Sequence, residues 1–151
     1  MTEQTEKIRH RYNRIAGIYD FLEAPMEHMF RKWRQELMND VHGDVLEVGV
    51  GTGKNLPYYP DNVKVTAIDF SPRMVKKARA KAAELDASIK VVQMDVQDMD
   101  FDDNRFDTVV TSCVFCSVPD PVQGFKEIRR VCKPGGVVRM LEHVRSHKPI
   151  L

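Results

Sequence analysis

Three glycines at alternating positions, and two later aspartates, are the candidates for binding a polar ligand. The glycines lie in the stretch 45–55, VLEVGVGTGKN, at Gly49, Gly51 and Gly53. Glycine tolerates positive φ and lets a ligand approach the backbone closely, so this loop predicts a binding turn after a strand. Asp69 and Asp95 each end a later apolar run. Carboxylate oxygens there could accept hydrogen bonds from a ligand's hydroxyl or amino groups.

Two nucleotide-binding motifs do not fit the glycine loop. A dinucleotide fingerprint, G-x-G-x-x-G, begun at Gly49 needs a glycine where the chain has Lys54. A P-loop, G-x-x-x-x-G-K-[ST], with Lys54 as its lysine needs a glycine and a hydroxyl where the chain has Val48 and Asn55. The pattern is instead Glu-x-Gly-x-Gly-x-Gly, beginning at Glu47. The failed fingerprint counts against a nicotinamide-dependent oxidoreductase.

Apolar runs that alternate with helical stretches must position these residues. The runs cover 45–48, 63–68, 89–94, 106–116 and 137–141. Helices are predicted over 72–85, with Ser71 as N-cap, and over 121–133, with Asp120 as N-cap and the segment 134–136, Pro-Gly-Gly, as its stop. We also expect a helix to open directly after the glycine loop. This alternation predicts an α/β fold, a Rossmann-like doubly wound parallel sheet of about five strands.

Two helices are predicted before the sheet. The first covers about Glu6 to Ile15. The second carries an apolar stripe at helical spacing and has Pro25 in its first turn, where proline is tolerated; the stripe is Met26, Met29, Phe30, Trp33 and Leu37. We expect a single domain over 1–151, with N-terminal helices forming a cap over about 5–41 and an α/β core over about 44–145.

Composition excludes several classes of protein. Lys plus Arg number 23 against 22 for Asp plus Glu, which gives no electrostatic footprint for nucleic acid. No apolar run approaches the length of a membrane helix, and the charged N-terminus does not resemble a secretory signal. The three cysteines include one C-x-x-C pair, Cys113 and Cys116, inside an apolar run. We therefore expect a cytoplasmic protein without a disulfide framework or a metal site.

The ordered motifs resemble those of class I S-adenosylmethionine-dependent methyltransferases. The glycine loop resembles their first motif, and 106–110, FDTVV, and 130–136, RVCKPGG, resemble two later ones. The segments 12–20, YNRIAGIYD, 116–120, CSVPD, and 141–144, LEHV, resemble the branch that contains quinone-biosynthesis, phosphatidylethanolamine and methyltransferase-like thiol methyltransferases. The likeness covers roughly residues 7–145. It implies S-adenosylmethionine as cofactor, S-adenosylhomocysteine as product, and transfer of a methyl group to a small or lipophilic acceptor by in-line displacement.

The resemblance also implies roles for individual residues. Asp69 would accept both ribose hydroxyls, and Asp95, with Val96 beside it, would lie near the adenine amino group. Glu47 would orient the glycine loop or the methionine amino group. The remaining implied contacts to the cofactor come from Tyr19, Phe70, Met74 and Cys113. His143, after the fifth strand, is the candidate general base, since an imidazole titrates near neutral pH.

One departure from the family pattern shapes the expected partners. The superfamily usually has seven strands, whereas this chain stops at Leu151, just past the fifth. We therefore expect a fragment, a minimal form, or a homodimer that pairs through the exposed edge of strand five. The basic, Trp-bearing segment 31–34, RKWR, allows peripheral contact with a membrane. The alternative function is a catalytically incomplete protein that holds the cofactor or scaffolds a partner chain.

Overall fold

A five-stranded parallel sheet forms the centre of the molecule, in the order β3-β2-β1-β4-β5. The computed structural model describes residues 3–143, with the backbone alone at 19, 22–24 and 26. The strands are β1 Asp44–Val48, β2 Lys64–Asp69, β3 Ile89–Gln93, β4 Phe106–Ser112 and β5 Cys132–Leu141. All four pairings are parallel. The prediction of a Rossmann-like α/β fold is confirmed, and the order of strands reverses between β1 and β4, where such sheets bind ligands.

Within residues 3–143, four α-helices flank the sheet or precede it. They are α1 Glu3–Ile15, α2 Tyr19–Leu37, α3 Pro72–Ala83 and α4 Pro121–Val131. The two predicted N-caps are confirmed: the Ser71 hydroxyl accepts the Met74 N–H at 3.3 Å, and the Asp120 carboxylate accepts the Gln123 N–H at 3.0 Å. Proline begins both α3 and α4, where its missing N–H costs nothing.

The expected start of α2 is wrong. Pro25 lies in the interior of that helix, which begins at Tyr19. The residue before the helix, Ile18, makes no side-chain capping bond, so the sequence carries no N-cap signal at the true start. The apolar stripe, which begins near Pro25, marks where the helix meets the core and not where it begins.

The helix expected directly after the glycine loop is also absent. The chain there forms turns followed by a short 3-10 helix over Leu56–Tyr58. Hydrogen bonds in this stretch span three residues: the turns have Gly53 N–H to the Val50 carbonyl at 2.9 Å and Leu56 N–H to the Gly53 carbonyl at 3.2 Å, and the 3-10 helix has Tyr58 N–H to the Asn55 carbonyl at 2.9 Å. This tighter winding is the 3-10 pattern, and it is used in short pieces.

The boundaries around β4 and β5 differ from expectation. β4 ends at Ser112, not Cys116, because Cys113 takes φ +56° and turns the chain. The expected helix stop at 134–136 lies inside β5, where four residues of β5, 133–136, oppose the single β4 residue Asp107 in an irregular register. Gly135 has φ +76° within this bulge, which a side chain would strain.

The two faces of the sheet are covered by separate apolar clusters. On β1, Val45 belongs to the cluster under α2 and α3, whereas Leu46 and Val48 belong to the cluster with α4. Successive side chains of a strand point to opposite faces, so Glu47 lies on the same face as Val45. Alternation therefore directs the Glu47 side chain toward α2 and α3.

Candidate functional site

A cavity opens at the carboxyl ends of β1, β2, β3 and β4, and α1 covers part of it. Parallel strands bring the residues that follow them to one edge of the sheet, which explains why distant segments meet here. The lining comes from four strand ends and from α1. The β1 end and its loop contribute Val48, Gly49 and Gly51, and the β2 end and α3 contribute Ile68, Asp69, Phe70 and Met74. The loop after β3 contributes Met94, Asp95, Val96 and Gln97, the β4 end and its loop contribute Ser112, Cys113, Val114, Ser117, Val118 and Pro119, and α1 contributes Thr5 and Tyr12.

Two of the three loop glycines line the cavity, and each does so for a different physical reason. Gly49 has φ +69°, and a Cβ there would lie 2.4 Å from a methyl carbon of Val114. Gly51 has φ +56°, and a Cβ there would meet no atom within 4 Å. Gly49 thus permits close packing between two loops, whereas Gly51 leaves its side of the cavity open to a ligand.

Asp69 ends β2 with its carboxylate directed at the glycine loop. One oxygen accepts the Gly51 N–H at 3.0 Å and the other accepts the Ser71 N–H at 2.9 Å. Asp69 is 7% exposed, and burial raises the pKa of its carboxyl while the two N–H donors oppose that shift. Each oxygen retains acceptor capacity after these bonds, so the carboxylate can bind further donors.

The next stretch of wall combines apolar side chains with a second carboxylate. Met74 and Val96 are buried, and Phe70 is half-buried. Both carboxylate oxygens of Asp95 accept hydrogen bonds from the Gln97 side chain at 3.1 Å, and one accepts the Gln97 N–H at 2.9 Å. A flat apolar ligand with polar edges suits this combination.

Three of the described residues singled out from the sequence do not line this cavity. Glu47 lies on the other face of β1, and a Cβ on Gly53 would meet Leu56 and the α3 residues Lys81 and Ala78, so Gly53 serves packing. His143 lies along a separate groove. The predicted role of Tyr19 concerns a side chain outside the described residues.

Glu47 belongs to a buried polar network between β1, the glycine loop and α2. Its carboxylate accepts the Asn55 amide N–H at 2.9 Å and the Tyr59 hydroxyl at 2.9 Å, and the Asn55 amide oxygen accepts an N–H of Arg34 at 2.6 Å. Burial raises the pKa of Glu47 to about 7, against the lowering effects of Asn55, Tyr59 and Arg34. Burial also raises the pKa of Tyr59, so that phenol remains a donor.

A second groove runs between α2 and β5. It is lined by Phe30, Trp33, Glu36, Leu37, Cys113, Val138, Arg139, Met140, Leu141, Glu142 and His143. Cys113 lines both this groove and the cavity, so the two spaces adjoin at the end of β4. Within the basic segment 31–34, Arg34 is buried and only the first three residues face outward. Most of the groove's lining residues are apolar, Glu36, Arg139 and Glu142 lie among them, and His143 is exposed.

Several residues that organise the site escaped sequence analysis. The hydroxyls of Tyr12 and Ser117 are 2.6 Å apart, and the Asn13 amide oxygen accepts the Ser71 hydroxyl at 2.7 Å. Glu142 accepts the Val114 N–H at 2.9 Å and the Thr111 hydroxyl at 2.8 Å. These bonds join residues far apart in the chain, which no local pattern could reveal. The aromatic type of Tyr12 and the acidic residue before His143 were the available signals.

The described residues offer neither a cluster of metal ligands nor a membrane-spanning helix. Between residues 3 and 143 no group of three His, Cys, Asp or Glu side chains is arranged to hold a metal ion. None of the helices in that range combines the length and apolarity needed to cross a bilayer.

The fold and this cavity define a class of proteins that bind a nucleoside-like ligand at the switch point of a parallel sheet. Comparison with known proteins identifies the family. Residues 46–140 match the model of the methyltransferase domain. A phosphatidylethanolamine N-methyltransferase of Cereibacter sphaeroides is 40% identical over 96% of this chain and 72% of that protein. The chain therefore belongs to the S-adenosylmethionine-dependent methyltransferase family, whose cofactor is S-adenosylmethionine, and the fold is that of this family.

Other relatives are longer than this chain. A ubiquinone/menaquinone biosynthesis C-methyltransferase of Geotalea daltonii is 34% identical over 94% of this chain and 65% of that protein. A rat thiol S-methyltransferase is 32% identical over 85% of this chain and 54% of that protein. A solved methyltransferase of Haloferax volcanii, in complex with the Trm112 activator, has a TM-score of 0.73 at 27% identity and covers 85% of this chain and 58% of that one.

Proposed function

We propose that this chain binds S-adenosylmethionine in the cavity and transfers its methyl group to a small, lipophilic acceptor held in the groove between α2 and β5. Family membership supports the enzyme over a protein that only holds the cofactor or scaffolds a partner. The roles of individual residues and the class of acceptor are our assignments.

The carboxylate of Asp69 carries this proposal. It lies beside the open Gly51 at the end of β2, pinned by two backbone N–H donors that fix both of its oxygens. Two fixed oxygens with spare lone pairs suit two neighbouring hydroxyls, as in a ribose. Among the described residues that line the cavity, the other carboxylate is Asp95, whose hydrogen bonds come from Gln97.

The remaining walls fit the rest of the cofactor. Phe70, Met74 and Val96 offer apolar contact to the two faces of an adenine ring, and Asp95 offers an acceptor for its amino group. Gly49 and Gly51 let the backbone approach the methionine portion, with Cys113 near the same end. These residues would bind and orient the cofactor. Glu47 and Gly53, which do not line the cavity, would stabilise the glycine loop.

The groove fits an acceptor that is largely apolar. When bound, S-adenosylmethionine supplies a methyl group on a sulfonium, which a nucleophile attacks in line with the departing sulfur. Phe30, Trp33 and Leu37 would hold the acceptor's apolar body, and His143 would take the proton of a hydroxyl or amine. Positioning of this kind is worth ~7–11 kcal/mol of a barrier. Two of the relatives are named for methylation of a phospholipid and a quinone, which supports a lipophilic acceptor.

Calorimetric titration with S-adenosylhomocysteine tests the cofactor site directly, with NAD as the ligand control. We expect saturable binding of S-adenosylhomocysteine and none of NAD. Asp69→Ala should weaken binding about a hundredfold, because it removes hydrogen bonds to an ionised acceptor worth ~1.5–3 kcal/mol each. Asp61→Ala, an exposed loop change, is the matched control.

Two results would contradict the proposal. Binding of NAD in place of S-adenosylhomocysteine would indicate a nicotinamide-dependent oxidoreductase instead. Affinity for S-adenosylhomocysteine within twofold of the wild type in Asp69→Ala would remove the ribose role of that carboxylate. Turnover with quinone precursors, phospholipids and thiols as candidate acceptors then separates an enzyme from a protein that only binds the cofactor.

A further inference from the structure

A buried arginine on α2 reaches the glycine loop from the side opposite the cavity. Arg34 is 7% exposed and donates to the Asn55 amide oxygen at 2.6 Å. Asn55 is 3% exposed and donates its amide N–H to Glu47 at 2.9 Å. The hydrogen bonds therefore connect Arg34 on α2 to Asn55, which ends the glycine loop, and Asn55 to Glu47, which precedes that loop.

The guanidinium fixes which way the Asn55 amide points. An amide has one acceptor oxygen and one donor NH₂, and a guanidinium offers donors alone. Arg34 therefore holds the oxygen toward itself and leaves the NH₂ for Glu47. A flipped amide would set NH₂ against the cation and the amide oxygen against the carboxylate, so both contacts would be lost together. Arg34 thus determines whether Asn55 and Glu47 can close the loop.

Further charged groups act on the same network. The Arg34 Nε lies 3.4 Å from a Glu27 carboxylate oxygen, and the other Glu27 oxygen lies 3.5 Å from Lys54 Nζ. The Tyr59 hydroxyl donates to Glu47 at 2.9 Å, and the negative charge of Asp69 disfavours a charge on Glu47. In the apolar surroundings of this network, each hydrogen bond to Arg34 is difficult to replace by water.

We propose that Arg34 is a positioning residue for cofactor binding, which acts through Asn55 to tie together the two ends of the glycine loop. Phe30, Trp33 and Leu37 of the same helix line the acceptor groove. Arg34 therefore links the helix that meets the acceptor to the loop that meets the cofactor. This inference rests on the proposed cofactor site and adds a residue that does not touch the cavity.

The test compares S-adenosylhomocysteine affinity with stability in four variants of the full chain. Arg34→Met removes the donors and should weaken binding at least tenfold. Arg34→Lys keeps one donor within reach of Asn55 and should bind within about threefold of the wild type. Arg31→Met, on the exposed side of α2, should leave affinity unchanged. Met38→Ala, in the core at the end of α2, should lower the urea midpoint without changing affinity.

A double-mutant cycle tests the route through Asn55. If Arg34 acts through that amide, the double variant Arg34→Met/Asn55→Ala should bind no more weakly than Asn55→Ala alone. Additive losses would overturn the inference, as would unchanged affinity in Arg34→Met or an equal loss in Met38→Ala, which would indicate general docking of α2. Failure of the wild-type chain to bind S-adenosylhomocysteine would overturn the proposed cofactor site and this inference together.

Discussion

At the scale of single residues, the site depends on where the β1 side chains point. Glu47 and Val48 are neighbours in sequence, yet Val48 lines the cavity and Glu47 is buried behind it. The glycine-loop motif alone does not predict which way each of the two side chains points. The directions follow because successive side chains of a strand point to opposite faces of the sheet. Glu47 is consequently a supporting residue whose protonation is coupled to folding.

Replacement of Glu47 by Gln should remove a pH dependence of stability. Burial raises the pKa of Glu47 from 4.5 to about 7, so the folded chain binds a proton that the unfolded chain releases between those values. Stability from this group is present below pH 4.5 and is lost as pH rises toward 7, by up to about 3 kcal/mol at 1.36 kcal/mol per pKa unit. Urea unfolding from pH 4.5 to about 9 measures the wild type against Glu47→Gln.

The difference between the two chains isolates the Glu47 contribution from those of other carboxylates. The free energy of unfolding of the wild type, minus that of Glu47→Gln, should fall across this range and level off above pH 8. Glu84→Gln, an exposed change at the end of α3, serves as the control. A difference that stays constant with pH would mean that the folded chain holds Glu47 ionised throughout.

At the scale of elements, α1 fastens over the cavity at two points. The Tyr12 hydroxyl meets Ser117 on the loop after β4 at 2.6 Å, while its ring contacts Phe70 edge-on at a centroid distance of 5.9 Å. On the other side, Asn13 accepts the Ser71 hydroxyl and, at 3.3 Å, the Arg73 N–H. If the cofactor binds in this cavity as proposed, we expect some of these contacts to open when it enters and leaves.

Tyr12→Phe should therefore accelerate exchange of the cofactor. It removes the bond to Ser117 and keeps the ring against Phe70; loss of a hydrogen bond worth about 1 kcal/mol predicts roughly fivefold faster release. Stopped-flow displacement of S-adenosylhomocysteine measures this rate. Association should accelerate as well, so the dissociation constant should change less than either rate. Tyr58→Phe, in the 3-10 helix away from the cavity, is the control, and unchanged rates in Tyr12→Phe would contradict a role for α1 as a cover.

The elements also mark the limit of what the sequence predicts. Period and caps located the sheet, α3 and α4, and the ordered motifs located Gly49, Gly51, Asp69 and Asp95 at one edge. The contacts of Tyr12 with Ser117 and of Arg34 with Asn55 depend on how α1 and α2 lie on the sheet. That placement follows from the packing of whole elements, so motif spacing could not supply it. The predicted position of Pro25 in the first turn of α2 is wrong for a related reason. The helix extends past its contact with the core, so the apolar stripe does not mark the start of the helix.

At the scale of the whole molecule, the outer edge of β5 is a strand edge with exposed apolar side chains in the described part of the chain. In the part of the chain described, β5 pairs with β4 alone, and Val138 and Met140 on this strand are 42% and 40% exposed. An edge strand presents unpaired backbone N–H and C=O groups, and apolar side chains beside them favour pairing with another strand. The occupant that we expect is β5 of a second copy, since one patch can meet itself across a two-fold axis.

The 151-residue chain should therefore sediment as a dimer at micromolar concentration. A lysine on an edge strand opposes such pairing, since two copies would bring like charges together. Met140→Lys should accordingly shift the equilibrium to monomer, whereas Val122→Lys on α4, which is 62% exposed, should leave the dimer intact. A wild-type chain that sediments as a monomer at every micromolar concentration tested would exclude this interface. Dissociation by both lysine variants alike would indicate non-specific apolar association, because only one of the two changes lies on the β5 edge.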